Sequence, residues 1–153
     1  MTSKAIIKIL TDNKLKVTPQ RTAVLEVICK LKNHPSADNI TENLKQNFPH
    51  ITLSTVYKIL DVFVEKGIET KVKTDDDVMR YDFVREKHHH LYCAESNRIE
   101  DYIDKKLDKL IEDYLLKNPI PNFRIKDINL QIVGNFTGKA AELSLERKID
   151  PLA

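Results

Sequence analysis

Three consecutive stretches, TPQRTAVLEVICKLKN, HPSADNITENLKQNFP and TLSTVYKILDVFVEKG, repeat apolar residues at helical spacing, each fenced by its own start and stop signals. In the first, Thr18 can cap and Pro19 can take the first helical position, while Val24, Val27, Ile28 and Leu31 share a face. The second has Ser36 as cap, Ala37, Ile40, Leu44 and Phe48 as its apolar face, and Pro49 as its close. The third opens at Thr52, turns Val56, Ile59, Leu60 and Phe63 inward and ends at Gly67. IETKVKTDDDVMRYDF follows as two short β-like stretches around the turn-prone Asp75, Asp76 and Asp77. Three helices and then a hairpin is the layout of a winged helix-turn-helix, in which the third helix enters the DNA major groove and the hairpin tracks the backbone.

The character changes after about residue 84. HLYCAES and NRIEDY are expected to form a short hairpin, and Ile103, Leu107, Leu110, Ile111 and Tyr114 give a helical stripe. In FRIKDINLQIV, Ile128, Leu130 and Ile132 alternate with Asp127, Asn129 and Gln131, as in a half-buried strand, and a closing helix is expected near 139–148. A small mixed sheet exposes its edges, so pairing with a second copy is expected. The fold class is therefore α+β. It comprises a winged helix-turn-helix domain over 1–83, a hinge at 84–87 and a small α/β dimerisation domain over 88–153.

Net charge is only +2, but it is unevenly spread. Through Lys73 there are 12 Lys and Arg against 7 Asp and Glu, and the remainder holds 13 against 16. The first half is the better candidate for a polyanion. Within it, Ser54, Thr55, Tyr57 and Lys58 at the start of the third helix, with Arg21, are the candidate groups for phosphates and base edges. No apolar run approaches the roughly 18 residues a membrane span needs, so a cytoplasmic protein is expected. Of the two cysteines, Cys29 falls close to a helical apolar stripe and Cys93 reads as a small buried side chain.

REKHHHLYCAESNRIEDY holds three adjacent histidines. On a strand, His88 and His90 point to one side and can close on one metal ion, while His89 points away. Asp101 on the return stretch could join them. Asp82 stands just upstream, and His34 lies in the loop KNHPS between two helices. Imidazole and carboxylate donors suit divalent iron, manganese or zinc. Cys93 completes no zinc motif, because Ser96 stands three residues later. A metallohydrolase would also need a group poised to activate water and a substrate cleft, and no motif supplies either.

TPQRTAVLEVI, HPSADNI, STVYKILDVF, RYDF and HHHLYC resemble, in order and spacing, the ferric uptake regulator (Fur) superfamily of metal-dependent bacterial repressors, from about Thr18 to Gly134. The resemblance implies a homodimer that binds double-stranded operator DNA. It further implies a regulatory iron(II) or manganese(II), with zinc(II) as a substitute in vitro, held by His34, Asp82, His88, His90 and Asp101. Iron-sensing relatives usually place a glutamate where Asp101 stands, so the aspartate favours the peroxide-responsive branch, although the adjacent Glu100 would restore the other reading after a one-residue slip. In that branch, iron-catalysed oxidation falls on a ligating histidine, with His34 the first target and His88 the second. Most relatives also hold a structural zinc on two Cys-x-x-Cys pairs. Here Ser96, Phe136 and Lys139 stand at three of those positions, so no structural zinc is expected. An iron- or zinc-responsive repressor of the same superfamily is the alternative function.

Overall fold

The computed structural model describes residues 1–84 and 86–137. Four helices come first: α1 (Ser3–Asp12), α2 (Pro19–Leu31), α3 (Ala37–Leu44) and α4 (Leu53–Glu65). Each begins at a hydroxyl residue in extended conformation, Thr2, Thr18, Ser36 and Thr52, whose side chain accepts a backbone N–H of the first turn. Such a cap contributes about 1 kcal/mol. Ser36 and Asn39 close a reciprocal capping box, so the short α3 is fixed where it starts.

The helices enclose one core, with Ile6, Leu10, Val24, Leu25, Ile40, Val56, Leu60 and Phe63 wholly out of solvent. Each such aliphatic or aromatic side chain contributes about 1.5–3 kcal/mol through burial. The amphipathic N-terminal stretch thus forms α1, a fourth helix packed on α2 through Ile6 and Leu10. In α2 the buried face is Val24, Leu25, Ile28 and Cys29, with Val27 and Leu31 at its margin, because α1 and α3 flank the helix and rotate its stripe. Phe48 lies beyond the end of α3 and packs against the core from the following turn.

Strands β1 (Glu69–Val72) and β2 (Arg80–Phe83) form the antiparallel hairpin behind α4, with Thr70 opposite Asp82 and Val72 opposite Arg80. Strands β3 (His89–Cys93) and β4 (Arg98–Tyr102) form a second hairpin, followed by α5 (Lys105–Lys117). Strand β5 (Gln131–Val133) lies parallel on the other side of β3, giving the order β4-β3-β5. The strand expected across FRIKDINLQIV is confined to these three residues, all of them exposed. The α5 stripe is also not buried within the chain: Leu110 and Tyr114 stand 67% and 64% exposed. Among the described residues no element covers it. The helix expected at 139–148 lies outside the described residues. Among the described residues no helix is long and apolar enough to cross a membrane.

Candidate metal centre

The loop between α2 and α3 turns sharply, with Lys32 and His34 both left-handed at φ +49° and +52°. This is uncommon for residues with a side chain and costs on the order of 1 kcal/mol each. What holds it is β2. The Tyr81 N–H donates to the Pro35 carbonyl at 3.0 Å, and Ser36 bridges Arg80. These contacts bring His34 against Asp82, Nε2 to Oδ1 at 3.8 Å.

The strand hairpin supplies the other side. His88 just precedes β3, and His90 lies two residues on and directly opposite Asp101 of β4, so all three share one face. His88 Nε2 is 2.5 Å from Asp82 Oδ2, His90 Nε2 is 3.4 Å from the same oxygen, and Asp101 Oδ1 lies 2.8 Å from His34 Nε2 and 3.6 Å from His88 Nε2. The five side chains His34, Asp82, His88, His90 and Asp101 each offer one donor atom, all within 4.8 Å of one another. Opposite ligands of a single ion at 2.1–2.2 Å lie about 4.3 Å apart, so one coordination sphere accommodates the set with little movement. The register also separates the two neighbouring acids. Glu100 lies opposite Leu91 on the other face and bonds Arg98, leaving Asp101 as the acid that reaches the cluster.

The donor set fits a divalent ion in three further respects. Both ring nitrogens of His34 are buried without a hydrogen bond of proper geometry, even though Asp101 is near. His88 pairs its Nδ1 with the Glu86 carbonyl at 2.7 Å, which fixes the tautomer that a ligating Nε2 requires. Three imidazoles and two carboxylates, with no thiolate, suit iron(II), manganese(II) or zinc(II).

Hydrogen bonds and charges within the cluster shift the titration of its members. The bond to Asp82 pushes His88 up to about 9 against the opposing effect of burial. Burial alone would raise Asp82, but hydrogen bonds from His88 and His90 and the charges of His34 and His88 keep it well below the usual carboxylate range. Asp101 is likewise held low by His34, with burial opposing. A cavity of about 330 Å³ opens beside the cluster, walled by Ile28, Tyr81, Phe83 and Ile103. Asp101, half exposed where His34 is buried, marks the side that faces solvent.

His89 points the other way, as alternation requires. It is wholly buried, its Nε2 bonds Asp108 of α5 at 3.0 Å, and its Nδ1 accepts the Leu130 N–H at 3.2 Å. It therefore ties α5 and the approach to β5 onto the back of the strand that carries the histidine pair. Strand alternation in the sequence turned His89 away from His88 and His90 but gave no sign of these partners. Cys93 lies at the far end of β3, its Sγ 3.5 Å from Asn135 Oδ1, away from the cluster. Cys29 is buried in the helical core. Of the candidate DNA-contact residues, Ser54, Tyr57 and Lys58 are exposed at the start of α4 and Thr55 is half-buried. Arg21 is half-buried on α2, with its guanidinium donating to the Lys16 carbonyl at 3.0 Å. Glu69, unmarked by the sequence, is buried on β1 with both carboxylate oxygens unpartnered, and desolvation, aided by the charge of Asp82, pushes it up to about 8.

Comparison with known proteins places this chain in a family. Residues 12–133 match the model of the ferric uptake regulator family. The chain is 32% identical over 131 residues to the peroxide operon regulator of Bacillus subtilis, covering 86% of this chain and 88% of that protein. It is 31% identical over 125 residues to the peroxide-responsive repressor PerR of Staphylococcus saprophyticus, covering 82% of each. Its fold superposes on the Campylobacter jejuni peroxide stress regulator with a TM-score of 0.69 at 28% identity, over 87% of this chain and 97% of that one. The ferric uptake regulator of Pseudomonas aeruginosa, solved with manganese, gives a TM-score of 0.73 at 21% identity, over 90% of this chain and all of that one. The expected winged helix followed by a small α/β domain is the architecture found. With the family model spanning most of its length and relatives 31% and 32% identical covered over 82% and 88% of their own lengths, this chain belongs to the ferric uptake regulator family of transcriptional regulators, which are not enzymes.

Proposed function

We propose that this chain is a metal-dependent repressor that senses hydrogen peroxide, acting as a homodimer on double-stranded operator DNA. The observation that carries the reading is the origin of the five donor atoms. His34 and Asp82 come from the helical half with its hairpin, and His88, His90 and Asp101 from the β3–β4 hairpin, yet all lie within 4.8 Å of one another. One ion held by all five fixes the first half, residues 1–83, against the second, from 88 onward, across the short link at 84–87. In a dimer this sets the distance between the two α4 helices, and so whether both reach successive major grooves. Moving such an equilibrium from mostly open to mostly closed takes about 5 kcal/mol of differential binding. Bonds that exist only in the closed arrangement are of the right kind to provide it.

The names of the relatives and the aspartate at position 101 favour peroxide as the signal. Iron(II), when bound, would supply the redox chemistry that cleaves the peroxide O–O bond, which manganese(II) would not do effectively, and in the net reaction the two electrons that reduce the peroxide come from the imidazole. The chain contributes the target: His34 and His88 place imidazole rings at the site, and the cavity beside them admits a small oxidant. One oxygen atom of peroxide ends on the ring and the other leaves as water. An imidazole so altered, at either position, loses its hold, and the two halves separate.

The test loads the full chain with iron(II) or with manganese(II), exposes each briefly to hydrogen peroxide, and maps added oxygen by peptide mass spectrometry. Expected is one oxygen on His34 or His88 with iron only, together with loss of binding to a duplex selected from a random pool on the manganese-loaded protein. Oxygen confined to methionine and cysteine would overturn peroxide sensing. Metal-dependent binding that ignores peroxide would point to an iron- or zinc-responsive repressor instead.

A further inference from the structure

The face of β3 that presents His88 and His90 continues with Tyr92, whose partner across the ladder is Ile99, just as Asp101 is the partner of His90. The first hairpin is built the same way. Asp82 and Thr70 form one rung, and Val72 and Arg80 form the next on the same face. Two successive rungs of one hairpin thus oppose two successive rungs of the other, with rungs on one face spaced about 7 Å. The first pair of rungs holds the metal ligands. The second pair holds something else: Val72, Tyr92 and Ile99 form a small buried cluster of their own, separate from the helical core.

Polar contacts surround that cluster. The Asp75 N–H donates to the Tyr92 hydroxyl at 3.3 Å, and the hydroxyl in turn donates to Asn97 Oδ1 at 3.2 Å. Gln131 of β5 donates its side-chain amide to the Lys73 carbonyl at 3.2 Å. Residues 72–75, where the first hairpin turns, are therefore seated on the three-stranded sheet by groups that belong to neither the metal cluster nor the helical core. Tyr92 is only 2% exposed, which it could not be if the hairpin swung away.

We infer that Tyr92 is a positioning residue for the metal switch: a latch that docks the tip of the first hairpin on the β3–β4–β5 sheet and so pre-forms the arrangement in which the five ligands meet. The inference rests on the reading of the chain as a metal-closed regulator. Its physical content is linkage: in a metal-free chain that is mostly open, whatever favours the closed form raises the apparent affinity for metal by the same factor. The latch sets the metal concentration at which the regulator closes, without touching the ion.

The test compares the full-length wild-type chain with Tyr92→Phe, which keeps the ring between Val72 and Ile99 and removes only the hydroxyl. Manganese(II) affinity is measured by titration in the absence of DNA, and binding to the selected duplex is measured at saturating manganese. Expected is a roughly three- to tenfold loss of manganese affinity, the effect of one or two hydrogen bonds, with duplex binding at saturation unchanged. The Asp75 amide should also exchange faster with solvent deuterium. Wild-type manganese affinity in a variant whose Asp75 amide has lost protection would overturn the latch, since the tip would then be free at no cost to the metal site. Should Tyr92→Phe fold poorly, the exposed Gln131→Ala carries the test. A loss of about twofold or more supports the latch, and wild-type affinity overturns it. A wild-type chain that binds manganese but no duplex would remove the regulatory reading and leave the titration meaningful.

Discussion

His34 Nε2 and Asp101 Oδ1 stand 2.8 Å apart, yet the imidazole makes no hydrogen bond of proper geometry to the carboxylate. Two ligand-type atoms this close without a hydrogen bond of proper geometry fit neighbouring positions around one ion, since adjacent ligands at about 2.1 Å from a metal lie about 3 Å apart. One comes from a helical loop and the other from the second hairpin, so this relationship is where the proposed switch has its moving part.

His34→Ala or Asp101→Ala should weaken manganese(II) binding more than about 100-fold, because loss of even an outer-sphere partner costs 10–100-fold. Metal-dependent retardation of the duplex should vanish with it, while metal-free melting changes little. Isothermal titration of each variant checks this, and near-wild-type affinity would remove that residue from the ligand set.

Metal must displace the proton that His88 holds up to a pH of about 9. Apparent manganese affinity should therefore rise close to tenfold per pH unit between about 6.5 and 9 and flatten above. Titrations at four pH values in that window would reveal a flat profile if His88 were not a ligand.

Burial raises Glu69 to about 8 from an ordinary value near 4.5. The fold favours its neutral form, so its contribution is fully present below about 4.5 and is lost as pH rises through about 8. Glu69→Gln should melt at least about 4 °C higher than wild type at pH 8 and should nearly match it at pH 4.5. A difference independent of pH, followed by circular dichroism on the metal-free protein, would exclude titration as the cause.

Tyr57 is 40% exposed near the start of α4, and nothing in the metal cluster touches it. Tyr57→Ala should weaken duplex binding at saturating manganese by tenfold or more and leave manganese affinity unchanged. Gel retardation beside calorimetry separates the two effects.

The stripe of α5, which no described residue covers, predicts the effect of charge on assembly. Leu110→Glu should shift the chain toward the monomer in analytical ultracentrifugation at micromolar concentration, since a carboxylate cannot be buried there without a partner. An unaltered sedimentation profile would place the subunit contact elsewhere.

Much of this molecule was legible in its sequence because the signals are local. Thr18, Ser36 and Thr52 cap the helices they precede, and strand alternation alone put His88 and His90 on one face and His89 on the other. The likeness to the family was likewise carried by short runs of adjacent residues. What the tertiary structure decided were matters of register and packing. Leu25 rather than Val27 is buried because α1 and α3 flank α2, a constraint no periodicity within α2 can express. Asp101 rather than Glu100 reaches the cluster because β3 and β4 pair His90 with Asp101, and a slip of one residue would have turned the other acid inward. The left-handed turn at His34 exists because β2 grips Pro35 and Ser36 from outside the loop. Side-chain chemistry and spacing are written along the chain, but which faces meet is set by contacts between residues far apart in sequence.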